Sequence, residues 1–278
     1  MPKPTKASLA ALTPKKAPKK SLKNGARKPA KKSANNPAPE FATKSAKSAK
    51  TNSLHKPFHH PNSPHAPAIT HLAAADPVLA TVIAEVGPCL LKARADGTHF
   101  DAVVRAIIFQ QLSGKAATTI HTRLLAHFGA RHPTPAELLA AHDEPLRAAG
   151  VSRQKIGYLR DLATRAADPA FAMDTLHNCD DARIHDTLTA VKGIGPWTAQ
   201  MFLLFRLGRP DVWPTGDLGI RNAVKKAWRL RTDPTPKHLE KLAKSWSPYR
   251  SVAAWYLWRS LDNPAVPVPR QSDAPGPW

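Results

Sequence analysis

Cysteine is nearly missing from this chain: Cys89 and Cys179 are all that 278 residues contain. Two thiols far apart in sequence exclude a disulfide scaffold and any cluster needing four cysteine ligands, and they fit a reducing compartment. Long hydrophobic runs are missing as well. No stretch of about 18 apolar residues is available to span a bilayer, and the basic start of the chain has no apolar face with which to lie in one. That start also lacks the apolar core and cleavage site of a secretory signal, and Lys dominates over Arg in it, unlike a mitochondrial presequence. Strand-like alternation of apolar and polar residues is absent too, which leaves helices as the expected regular structure. Acids are scarce: 20 Asp and Glu stand against 41 Lys and Arg, a formal charge of +21.

That charge is unevenly spread. From Met1 to Ala66 there are 15 Lys or Arg and one acid, Glu40, in low-complexity runs such as KKAPKKSLKNGARKPAKKSA. Too few apolar residues occur there to bury, so 1–66 is expected to be a disordered basic tail. It reads either as a salt-sensitive, non-specific DNA tether or as a solvated tail. The rest is basic too, with 26 Lys or Arg against 19 acids. A polyanionic partner follows, because each phosphate neutralised by Lys or Arg releases a condensed counterion; double-stranded DNA is the first candidate. Residues 263–278 (NPAVPVPRQSDAPGPW) are Pro-rich and are also expected to be unstructured.

Between these ends, 67–262 should form a helical domain, and a hydrophobic content of 42% suffices for a core. Apolar residues recur at i, i+3, i+4 and i+7, broken by Gly, Pro and Asp. Asp76-Pro77 caps and starts PVLATVIAEV; FDAVVRAIIFQQL, a helix from Lys115 to Phe128, a start at Thr134-Pro135 and a helix capped by Ser152 follow. Further helices are read around Ala182 to Val191, Pro196 to Leu207, Asp217 to Arg229, Pro236 to Trp246 and Tyr249 to Leu261. The 13 histidines, His59, His60 and His65 among them, lack a fixed second pair at metal-ligand spacing, so no catalytic metal is expected.

The segment LTAVKGIGPWTAQMFLLF carries the most chemistry. An apolar helix is followed by the turn Lys192-Gly193-Ile194-Gly195 and by a second helix opened by Pro196. Glycines two apart permit positive φ and let backbone N–H groups approach a phosphate, to which the next helix adds its positive end. Ile194 would plug the turn into the core. Such a device grips phosphate and reads no base sequence.

This stretch resembles the helix-hairpin-helix motif of the DNA glycosylase superfamily, matched at Val191, Gly193, Ile194, Gly195 and Ala199. In that family a Gly/Pro-rich loop and an aspartate follow the hairpin, as VWPTGDLGIRNAV does here with Asp217. RAIIFQQLSGKAATTI, GVSRQKIGYLRDLA and WSPYRSVAAWYLW resemble the alkylbase branch, of the 3-methyladenine DNA glycosylase II type, and the likeness runs from Ala68 to Asp262. It implies two helical subdomains with an active-site cleft between them, the hairpin and Asp217 on one wall and the Gln110 region on the other. Some relatives hold a four-cysteine iron–sulfur cluster, which this chain cannot build.

The resemblance makes Asp217 the catalytic carboxylate, either stabilising positive charge at C1′ or activating water. Trp197, Met201 and Trp258 are implied as the walls of a pocket that selects cationic alkylated bases by stacking, or else as ordinary core residues. Gln110, Gln111 or Leu112 is implied as the wedge that fills the gap left by a flipped base, Gln111 being preferred, with a solvated helix end as the alternative. Members that also cut the strand carry a Lys two residues past the second hairpin glycine; Trp197 stands there, implying a monofunctional enzyme. Lys192 is expected to touch phosphate, and relatives bind Na+ or K+ through hairpin carbonyls, here those of Gly193 and Gly195. Arg221, Lys225 and Lys226 follow Asp217 as a basic helix face. The expected function is excision of alkylated bases in base excision repair, by a monomer working at the nucleoid or, in a eukaryote, the nucleus. The alternatives are the same fold acting on deaminated or mismatched bases, and a DNA-binding protein without catalysis.

Overall fold

The computed structural model describes residues 63–262, and the regular elements among them are all helical. The expectations for the tails, 1–66 and 263–278, fall almost wholly outside that range.

Most of the helices start on a side chain that takes up their free N–H groups. Asp76 accepts from Val78 N and Leu79 N at the head of α2 (Pro77–Val86). Thr98 and Asp101 form a reciprocal capping box on α3 (His99–Phe109), as Thr134 and Glu137 do on α5 (Pro135–Ala140). Ser113, Ser152 and Asp180 cap α4 (Gly114–His127), α7 (Arg153–Ala166) and α8 (Asp181–Thr189). Asp217 and Thr235 do the same for α10 (Leu218–Ala227) and α11 (Pro236–Leu242). Each such cap is worth about 1 kcal/mol. The remaining helices are α1 (Ala66–Ala75), α6 (Asp143–Ala148), α9 (Pro196–Met201) and α12 (Arg250–Arg259). Short 3-10 turns occupy Pro169–Phe171, Met173–Asn178 and Ala243–Trp246. None of these helices is long and apolar enough to cross a membrane.

Packing sorts the helices into two groups. In one, α3 and α7 meet, flanked by α4, α5 and α6, with α8 and α9 alongside; in the other, α1, α2, α10, α11 and α12 pack together. A continuous core runs through both, including Leu72 and Tyr256 from one group and Ile107, Leu159 and Phe202 from the other. Each of these fully buried side chains contributes about 2 kcal/mol.

Three boundaries differ from the sequence reading, each for a physical reason. The third helix stops at Phe109, before both glutamines, because Gln110 swings out of the helical region at ψ 132° and Gln111 then turns left-handed at φ 56°. The helix after the hairpin changes to a π turn over Phe202–Arg206, which the apolar run Phe202 to Phe205 does not announce. This turn aims Arg206 at the loop before α3, where its guanidinium donates to the carbonyls of Arg94, Asp96 and Gly97 while Nε donates to His99 Nδ1. Finally, DEPLRA forms the helix α6, too short for periodicity to show.

Candidate active site and DNA interface

The hairpin is α8, the turn 190–195 and α9. Ile194 is buried and anchors the turn, while Lys192 and Gly193 face solvent. Only Gly193 of the two turn glycines has positive φ, at 80°, and a Cβ there would collide with the ring of Tyr158 on α7. Gly193 is therefore required twice, for its backbone and for the aromatic ring beneath it. Gly195, expected to need positive φ as well, is extended at φ −102°, ψ 175°; it begins α9 with no side-chain cap. The N–H groups of Gly193 and Gly195 have no acceptor among the described residues, so both are free for a phosphate at a positive helix end.

Asp161 of α7 holds the turn from behind. Its Oδ2 accepts from Lys192 N at 2.9 Å and from Arg165 Nε at 2.9 Å, and Lys192 Nζ stands 3.7 Å from Oδ1. Burial works against this charge, but the Lys192 N–H and Arg165 outweigh it and keep the carboxyl below the usual aspartate range. The Lys192 side chain remains 74% exposed, able to reach a phosphate.

Asp217 begins α10, in the other helix group, and its carboxylate receives three N–H donors. Oδ1 accepts from Ile220 N at 2.8 Å and from Trp258 Nε1 at 2.9 Å; Oδ2 accepts from Trp197 Nε1 at 2.7 Å. The aspartate is thus both a helix cap and the meeting point of two indoles, one from each group. Trp197 is 42% exposed, whereas Met201, one turn further along α9, is buried. Trp258 stacks on Phe205 with ring centres 5.7 Å apart, so the π turn supports Trp258 from behind. A Cβ at Gly219 would lie 2.9 Å from Trp258 Cδ1 and 3.0 Å from Asp217 Oδ1, which makes that glycine the space in which the pair meets. Sequence reading missed Phe205, Gly219 and Tyr158. Gly219, two residues past the aspartate, was the one with a visible signal. Cavities of about 530 and 620 Å³ are lined by none of these residues.

The expected division of walls needs correcting. Gln110 does not face the hairpin across a cleft: its Nε2 donates to Gly193 O at 2.8 Å, because α3 ends beside the turn. The hairpin and Gln110 share one wall, and Asp217 belongs to the other, reached across by Trp197. Of the three wedge candidates, Gln110 is tied down in this way, while Gln111 and Leu112 are exposed, Leu112 by 40%. Gly193 O and Gly195 O each accept one hydrogen bond, from Gln110 Nε2 and Ala199 N, and each keeps a lone pair that could serve a monovalent cation. Behind Asp217, Lys225 pairs with Asp233 and Lys226 donates to Ser260 O.

Comparison with known proteins places the chain among others of similar sequence and fold. Residues 104–248 match the HhH-GPD superfamily base excision DNA repair protein family. DNA-3-methyladenine glycosylase 1 of Schizosaccharomyces pombe is 35% identical over 164 residues, covering 58% of this chain and 72% of that one. Among solved structures, the DNA-3-methyladenine glycosidase of Bacillus halodurans superposes with a TM-score of 0.63 at 36% identity, covering 69% of this chain and 88% of its own. The Schizosaccharomyces pombe 3-methyladenine DNA glycosylase in complex with abasic DNA gives 0.60 at 32% identity, covering 69% and 95%.

Proposed function

Because the chain belongs to the HhH-GPD superfamily of base excision DNA repair proteins, we propose that it is a monofunctional DNA glycosylase that flips alkylated purines out of duplex DNA and hydrolyses their N-glycosidic bonds. The observation that carries this reading is the Asp217 carboxylate, oriented by Trp197, Trp258 and Ile220 N beside the phosphate-gripping hairpin. Relatives named for 3-methyladenine support the substrate class.

Breaking the bond builds positive charge at C1′ and the ring oxygen of the sugar. A carboxylate fixed beside that sugar stabilises the charge electrostatically and can orient the incoming water. Asp217 has about four lone-pair sites; Oδ1 uses two and Oδ2 one, so the free site on Oδ2 is the one to face C1′ or water. The exposed indole of Trp197 offers a π face on which an electron-poor methylated purine can stack, while Trp258 holds the other oxygen of the carboxylate. The free amides of Gly193 and Gly195, with Lys192, grip the strand, and Leu112 or Gln111 fills the space the base leaves. Na+ or K+ on the Gly193 and Gly195 carbonyls would stiffen the turn. With Trp197 where strand-cutting relatives place a lysine, no Schiff base forms at that position and the abasic strand is left intact. Every residue named comes from one chain, which suits a monomer on DNA.

The test is release of methylated bases from DNA treated with a methylating agent, identified by chromatography. Asp217→Asn is expected to slow release by about a hundredfold or more while DNA affinity persists. Equal background release by both proteins would leave a DNA-binding protein without this chemistry.

A further inference from the structure

Lys155 stands on α7 with its ammonium turned inward, donating to Ile108 O at 2.7 Å and to Gln110 O at 2.7 Å. These carbonyls close the C-terminal end of α3, where orphan oxygens and the negative end of the helix dipole gather. No basic residue of α3 itself occupies its last turn. Burial lowers the proton affinity of this ammonium below the usual lysine range, which gives it every reason to keep both acceptors.

The two carbonyls bracket the point where the chain leaves α3 and bends through Gln111 at φ 56. A left-handed backbone is strained for a non-glycine residue, and it persists where its surroundings over-determine it. Here Lys155 pins the carbonyls before the bend, and the Gln110 side chain is pinned on Gly193 O. The same helix reaches the hairpin through Tyr158 under Gly193 and Asp161 on Lys192 N. Gln154 Nε2, one turn before Tyr158, donates to the Tyr158 hydroxyl. A single rigid element therefore holds both the strand-gripping turn and the exposed loop of Gln111 and Leu112.

We infer that Lys155 is a positioning residue for base extrusion, which sets the 110–112 loop at a fixed distance from the phosphate grip so that its tip meets the stack when the strand is held. This rests on the glycosylase reading, in which that tip replaces the flipped base. The ammonium touches neither the base nor C1′, and its effect passes through the loop.

The experiment uses the full chain and a duplex carrying 2-aminopurine beside a stable abasic analogue, so that unstacking is seen as a fluorescence rise without bond cleavage. In Lys155→Met the rise is expected to fall to about half or less, and single-turnover release of 7-methylguanine from a fully paired duplex to slow by about tenfold to a hundredfold. Release from a duplex in which 7-methylguanine faces a mismatched base is expected to slow much less, because that base is already loosened. Lys155→Arg should restore both signals. Should Lys155→Met be poorly folded, Gln110→Leu, which severs the link to Gly193, should give the same contrast between paired and mismatched substrates. Equal slowing on both substrates, or an undiminished fluorescence rise in a folded Lys155→Met protein, would overturn the inference. A wild-type chain that unstacks 2-aminopurine but releases no methylated base would refute the glycosylase reading alone, with the fluorescence still deciding on Lys155.

Discussion

Asp217 shows how much one side chain can be asked to do: it ends the exposed N–H row of α10, orders two indoles and still keeps a site on Oδ2. Gly219 makes that possible. Gly219→Ala would push a methyl group against Trp258 and Asp217 at once. Since Ala favours helix over Gly by about 1 kcal/mol, thermal stability should change little, while base release should slow by about tenfold; unchanged kcat would show that the Trp258 contact is dispensable. A second residue sets acid tolerance. Burial, followed by the Arg105 guanidinium, pulls the His121 imidazole from 6.5 to about 4. Between those values the unfolded chain takes up a proton that the folded chain refuses. Stability is therefore complete above the ordinary histidine range and is lost as pH falls through it, by about 2 kcal/mol. Urea unfolding at neutral and mildly acidic pH should show this slope, and His121→Leu should flatten it; an equal slope in both proteins would assign acid sensitivity to other groups.

At the level of elements, the hairpin was legible because its signals are local: glycine spacing, a proline opening the next helix, an apolar plug. Helix starts at Asp76, Thr134, Ser152 and Asp217 were legible for the same reason, since a cap and the N–H it serves lie within a few residues. The end of α3 was not. Gln110, where it ends, is bonded to Lys155 and Gly193, both far along the chain, and two adjacent glutamines carry no stop signal of their own. The π turn is hidden in FLLFR, four apolar residues before a single arginine, although it decides where Phe205 and Arg206 point. Replacing Arg206 with Met should therefore release the 94–99 loop and cost about 2 kcal/mol in denaturant unfolding, with a smaller loss pointing to water as an adequate substitute. In the turn itself, Gly193→Ala meets both a left-handed backbone and the Tyr158 ring, for a cost of about 2–4 kcal/mol. Affinity for undamaged duplex should fall with it, and Tyr158→Ala in the same chain should recover the steric part only. Full recovery would mean that φ at Gly193 carries no strain.

For the whole molecule, the formal charge of +21 makes DNA affinity a function of salt. Residues 1–66 hold 15 of the 41 Lys and Arg. Their deletion should lower the slope of log affinity against log salt by about 0.9 for each phosphate they neutralise, without altering base release at saturating enzyme; an unchanged slope would refute the tether. Two helix groups sharing a core meet at one polar contact of special consequence, the 2.7 Å bond from Trp197 to Asp217. The indole is rooted in the half that carries the hairpin turn and the carboxylate in the half built from α10 and α12. A substitution that tilts this indole therefore reaches the carboxylate as well, so the two halves cannot be adjusted one at a time at that contact.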